Sequence, residues 1–228
     1  MVAEKAQNWE EAERCYREEV RISEQIQDWS GLAGSFNHLA RVAEGAGRLD
    51  DAERWYLRAQ ETKDKINPSD FSTLGNLARL YLSKGRLTEA EQYAQRALVI
   101  IETLDLSAEP WKIYNTLAKI AQAKGNAQEA AQWRRKAQES YFAYPGVAYQ
   151  LPQWAPAFIQ TVAAAVQGNT NAKSEVEKIL PKLEARGAED LAAAIRRMIA
   201  GERDFERLRT ELAYQSAYII RRILAVLS

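Results

Sequence analysis

LARVAEGAGRLDDAERWYLRAQ, residues 39–60, decides how the rest of the chain is read. It begins with Leu39, Ala40 and Ala43, which share one face of a helix. Gly47 falls just past that helix, where a left-handed residue closes the last turn. Asp50 with Glu53 then matches a capping box opening a second helix. Along that second helix, Ala52 and Ala59 are small enough to let two helices approach closely, and Trp55 and Tyr56 fill the space beside them. The stretch reads as a helical hairpin too small to bury its own apolar face, so stacked neighbours must complete the core.

The pattern recurs twice without gaps. LARLYLSKGRLTEAEQYAQRAL starts at Leu77 and LAKIAQAKGNAQEAAQWRRKAQ at Leu117, a period of 38 and then 40 residues. Gly47, Gly85 and Gly125 are equivalent, as are Ala52, Ala90 and Ala130, and Ala59, Ala97 and Ala137. Leu77, Ala78 and Tyr81 repeat the apolar face, and Thr88 with Glu91 repeats the capping box.

On the Leu-Ala pair, the Gly eight positions after the Leu, and the two alanines of the second helix, these units resemble tetratricopeptide repeats. The usual unit is about 34 residues, and the excess here falls in QETKDKINPSD and ALVIIETLDLSAEP. That longer form resembles the repeats of kinesin light chains and of large bacterial signalling ATPases. The late aromatic of the second helix is Tyr56 in one unit but Ala94 and Arg134 in the others, with Tyr93 and Trp133 one place earlier. Pro68 and Pro110 are expected to open the helices after the long linkers. The resemblance implies an all-α, right-handed superhelical solenoid of antiparallel hairpins with a C-terminal helical cap.

In that register the array covers residues 1–144, with full repeats at about 31–66, 70–105 and 110–142. The opening stretch supplies a half repeat over 8–28: Trp9, Ala12 and Tyr16 match Leu49, Ala52 and Tyr56, as a second helix without its first. Residues 1–6 are too few to supply one. The expectation is that the chain is excised from a longer one, or that a partner supplies the missing helix. Cys15 sits within an apolar stripe and is expected to be a buried thiol.

Residues 145–228 read as a connector plus a capping region. YFAYPGVAYQLPQWAPAF is rich in proline and aromatics and is expected to pack on the last repeat. Helices are expected around Pro156 to Val166 and from Lys173 to Arg186, the latter kinked by Pro181 and closed by Gly187. AEDLAAAIRRMIAG follows, closed by Gly201. The last segment places Ile219, Ile220, Ile223, Leu224 and Leu227 on one broad face.

The 228 residues carry 31 basic and 31 acidic side chains, a balance that argues against nucleic acid as a partner. A single cysteine allows no intramolecular disulfide and fits a reducing compartment. Neither a signal peptide nor an apolar run of about 20 residues is present, so the chain reads as cytoplasmic with no membrane partner. There is no phosphate loop and no nucleophile elbow. His38, with no second histidine and a single cysteine in the chain, makes no metal site of ordinary spacing. No enzyme activity and no cofactor are expected, and Trp9, Trp55 and Trp133 read as packing residues.

The polar face of the first helices carries the functional expectation. Arg41, Arg79 and Lys119 follow the Leu by two, and Asn37, Asn76 and Asn115 stand just before it. His38 and Lys112 flank them. The resemblance implies that these helices line a concave surface that receives a peptide. An Asn amide suits a peptide backbone because it donates and accepts, and a row of cations suits carboxylates. The expected role is a protein-interaction module that binds an extended, acidic segment, as the sensor or scaffold part of a larger signalling protein. The alternative is a structural scaffold, with a homo-oligomer or other contact formed through the half repeat or the last helix.

Overall fold

A computed structural model of the chain describes residues 9–67, 70–104 and 109–228. Its described residues are helical, with no strand among them, and fall into two compact units, residues 1–108 and 109–228.

The first unit holds α1 (Trp9–Gln25), α2 (Trp29–Gly45), α3 (Leu49–Ile66), α4 (Ser72–Ser83) and α5 (Leu87–Leu104). Each helix packs on the next in chain order. Gly47 and Gly85 adopt φ of +75° and +72° at the ends of α2 and α4, the left-handed conformation that lets the chain reverse after an α-helix. Ala52, Ala59, Ala90 and Ala97 are fully buried. Around Ala59 sit Leu32, Phe36 and Leu39 of α2, closed off by Tyr16 and Val20 of α1. In α4 the same role falls to Leu74, Leu77 and Ala78.

The capping box expected from Asp50 and Glu53 does not form. Helix α3 begins at Leu49 with Arg48 as its cap and no side-chain cap bond. Glu53 is drawn instead to the next hairpin. Its carboxylate accepts hydrogen bonds at 2.8 Å from both the Tyr81 hydroxyl and Arg86 Nη1, and it pairs with Lys84. Lys84 also meets Asp50 at 2.6 Å. Although burial opposes its ionisation, the bonds from Lys84, Tyr81 and Arg86 hold Glu53 below the usual carboxylate range. The pattern recurs one hairpin earlier, where Glu13 of α1 pairs with Arg48 in the turn between α2 and α3. Thr88 lies inside the first turn of α5.

Cys15 is exposed rather than buried. The side of α1 turned to α2 consists of Tyr16, Val20 and Ser23, with the Trp9 ring lying against Gly45. Cys15, one position before Tyr16, falls about 100° around the helix from that side. Residues 1–6 and Pro68 lie outside the described residues.

The second unit begins with a hairpin of the same design, α6 (Trp111–Ala123) and α7 (Ala127–Ala143), turned at Gly125 with φ +79°. A 3-10 turn at Val147–Gln150 leads to α8 (Ala155–Val166), α9 (Thr170–Glu184), α10 (Glu189–Ile199), the short α11 (Phe205–Leu208), a second 3-10 turn (Arg209–Glu211) and α12 (Tyr214–Leu227). Pro181 lies within α9. The last segment is broken rather than continuous, because Asp204 caps α11 and the chain extends at Leu212 and Ala213 before α12. Val162, Val176, Leu191, Ile195, Met198, Ile220 and Ile223 form one buried core among these helices. A second cluster joins Trp111, Tyr141, Val147 and Tyr218. Between them, buried Gln138 of α7 donates to the carbonyls of Arg209 and Leu212 at 3.0 and 2.7 Å, and accepts from Arg209 Nε at 2.6 Å.

Candidate functional site

Within the first unit, the polar faces of α2 and α4 meet. Arg41 and Arg79 hold equivalent positions in the two helices, and both are exposed. Between them stands Glu44, one turn on from Arg41. Its Oε2 accepts from the Tyr56 hydroxyl at 2.8 Å and from Arg79 Nη2 at 3.2 Å. Burial pushes the Tyr56 hydroxyl well above its usual range, with Glu44 adding to the effect and Arg79 and Arg41 opposing it. The phenol thus stays protonated and keeps donating to Glu44, which in turn fixes one side of the Arg79 guanidinium. Arg79 remains 55% exposed despite that bond, and Arg41 has no ion-pair partner among the described residues.

The asparagines behave differently. Asn37 is half-buried, and its amide bonds the Ala33 carbonyl at 3.0 Å and Thr73 Oγ1 at 2.9 Å, while the Thr73 hydroxyl lies 3.2 Å from Asn37 Oδ1. Thr73 is fully buried. Asn37 therefore ties α2 to α4. Asn76, also half-buried, occupies the repeat position of His38 and Thr116, and the position of Asn37 and Asn115 is Gly75 in α4. His38 is exposed and stacks on Tyr16, with ring centroids 4.8 Å apart. In the second unit, Asn115 is half-buried and Lys119 exposed. Lys112 pairs with Glu109 at the start of α6.

A recurring feature escaped the sequence reading. Trp55 stacks on Phe36, Tyr93 on Tyr81 and Trp133 on Tyr114, at centroid separations of 5.7, 5.3 and 5.9 Å. Over each second-helix ring lies a cation three residues later: Arg58, Arg96 and Lys136, at 5.2, 5.8 and 4.7 Å. The signal was in the repeats as an aromatic followed by a cation at i+3, a spacing that puts both on one helix face.

Among the described residues no cluster of His, Cys, Asp and Glu has the makings of a metal site, and no helix is long and apolar enough to cross a membrane.

Two solved structures share this arrangement of helices. BtubC (BKLC) from P. vanneervenii superposes with a TM-score of 0.58 at 20% identity, over 87% of this chain and 77% of that one. The nearly identical TPR-like repeats of a Podosopora anserina protein assigned as a kinesin light chain give 0.52 at 18%, over 84% and 85%. At these identities the likeness is one of fold. No curated protein matches the chain. The family model described as the MalT-like TPR region matches residues 2–198, running through the repeats and on into α10. With a match over most of its length, the chain belongs to the MalT-like TPR family.

Proposed function

We propose that this chain is a non-catalytic protein-interaction module whose α2–α4 face holds an extended, acidic segment of a partner. One observation carries the reading: Arg41 and Arg79 flank a single carboxylate, Glu44, which positions one guanidinium and leaves both exposed. Two exposed cations about one anchored acid leave positive charge to be matched from outside, and arginine binds carboxylates in forked geometry. Lys119 holds the equivalent repeat position in α6 and is exposed there. The Asn37 amide, bonded to Thr73, supports the face rather than reading the ligand. A sensor or scaffold place within a larger signalling protein accords with the family. Double reversal, Arg41→Glu with Arg79→Glu, is expected to abolish binding of an acidic partner peptide in fluorescence anisotropy while the circular dichroism spectrum stays unchanged. Retained affinity would overturn the proposal.

A structural role has its own support. Ile22, Ile26 and Trp29, at the corner between α1 and α2, are 44, 67 and 50% exposed, an apolar group suited to a contact with a further chain. Sedimentation at several concentrations separates the two readings. A firm dimer that Ile26→Lys dissolves favours the scaffold.

A further inference from the structure

The second unit contains a cavity of about 570 Å³, between α8, α9, the stretch leading into α8 and the first two turns of α12, with Tyr141 of α7 and Leu191 of α10 also in its wall. Its size falls in the range of small-molecule sites, roughly 300–1,000 Å³. The apolar part of its wall comes from Leu151, Phe158, Ile179, Leu183 and Ile219. Of these, Phe158 and Ile219 also belong to the core of the unit, so the cavity is backed by a packed scaffold rather than by loops alone. Trp154 stands at the wall with 45% of its surface open, edge-on to Phe158 at 5.4 Å.

Three polar features distinguish this cavity from a gap in packing. Tyr141 forms part of the wall and is fully buried, yet its hydroxyl has no hydrogen-bond partner. Gln215, also in the wall, comes near enough to the phenol to oppose the rise in its pKa, but not in the geometry of an ordinary hydrogen bond. A buried hydroxyl without a well-formed hydrogen bond is destabilising, and a bound acceptor would relieve that. Burial pushes that hydroxyl up to about 12, with Tyr214 and Tyr218 adding to it; at neutral pH it is a donor. Lys182, in the last turn of α9, and Arg186, just past its end, are both exposed and both line the cavity. Neither has an ion-pair partner among the described residues. They face one lining acid, Glu175, so the rim carries a net positive charge.

We infer that this cavity binds a small amphipathic acid, with its apolar body against the Phe158 and Ile179 wall and its carboxylate at Lys182 and Arg186. The Tyr141 hydroxyl donates to an acceptor atom within the ligand. This site shares no residue with the α2–α4 face, so each stands or falls separately.

The test uses the full chain and dodecanoate below its micellar concentration, followed by titration calorimetry, with dodecanol as the uncharged control. Dodecanoate is expected to bind in the micromolar range and dodecanol at least tenfold more weakly. Lys182→Glu with Arg186→Glu should weaken dodecanoate at least tenfold and leave dodecanol unchanged. Ala157→Trp, which fills the cavity from an exposed position on α8, should abolish both. Tyr141→Phe keeps the ring and tests the hydroxyl separately, with a loss of about threefold expected for a ligand bearing an acceptor, such as 12-ketostearate. Absence of dodecanoate binding, equal affinity for dodecanol, or binding that survives Ala157→Trp in a folded variant would each overturn the inference.

Discussion

The two units hold their helices together by different means. In the first, the same contact is used at successive junctions: an acid near the start of one second helix, Glu13 or Glu53, bonds cations in the turn of the following hairpin, Arg48 or Lys84 and Arg86. In the second, α7 meets the C-terminal helices through contacts used once. Tyr141 packs against Tyr214 and Tyr218, and Gln138 exchanges hydrogen bonds with Arg209 and its neighbours. Repetition allows a junction to be reused without new design, whereas the junction that ends the repeats must be specific to the helices packed beyond it.

The sharpest way to separate the units is to damage each core alone. Leu77 in α4 and Ile195 in α10 are both fully buried, and truncating either to alanine is expected to cost about 3 kcal/mol. Hydrogen exchange should show lost protection in α2–α5 for Leu77→Ala and in α8–α12 for Ile195→Ala. Uniform loss in both variants would show that the two units unfold as one. Gln138→Ala leaves the carbonyls of Arg209 and Leu212 without their donor in a buried setting, and about 2 kcal/mol should be lost in denaturant titrations.

Glu53→Gln tests the repeated junction, with an expected loss of about 1.5 kcal/mol at neutral pH; the Glu53 and Lys84 side chains are only 16 and 15% exposed, so screening is limited. The effect has a pH signature. Because the folded protein holds Glu53 below 4.5, the stability it adds is present above that value and lost as the pH falls through the lower folded one. The substituted chain should therefore lose less stability than the parent between roughly pH 5 and pH 3, and equal slopes would refute the assignment. Smallest of all, Arg58→Ala removes a cation from the Trp55 and Phe36 rings and should lower stability by about 0.5 kcal/mol.

What the sequence disclosed respects the same division. The hairpins, their glycine turns and their buried alanines were legible because each occurs three times. Asp50 and Glu53 showed why a local motif misleads: the capping-box spacing was present, but three donors on the next hairpin outcompeted the backbone for one carboxylate. Cys15 was misplaced because a stripe of small and apolar residues on one helix does not say which part of it faces a neighbour. At the candidate face, the register placed Arg41 and Arg79 at equivalent positions, yet the bond that engages the Asn37 amide within the fold depends on Thr73, 36 residues away. Gln138 and Arg209 were out of view for the same reason, 71 residues apart and without a repeat to announce them.

Glu13 and Glu53, near the starts of two second helices, with the cations of the turns that follow them, give a hairpin two unlike ends. Such a unit joins head to tail and only in that sense, because reversing it would set acid against acid. A gene segment encoding one hairpin could therefore be copied in place, and the extra copy would find matching ends on both sides. Growth by duplication along a single direction is written into the Glu13–Arg48 and Glu53–Lys84 pairs.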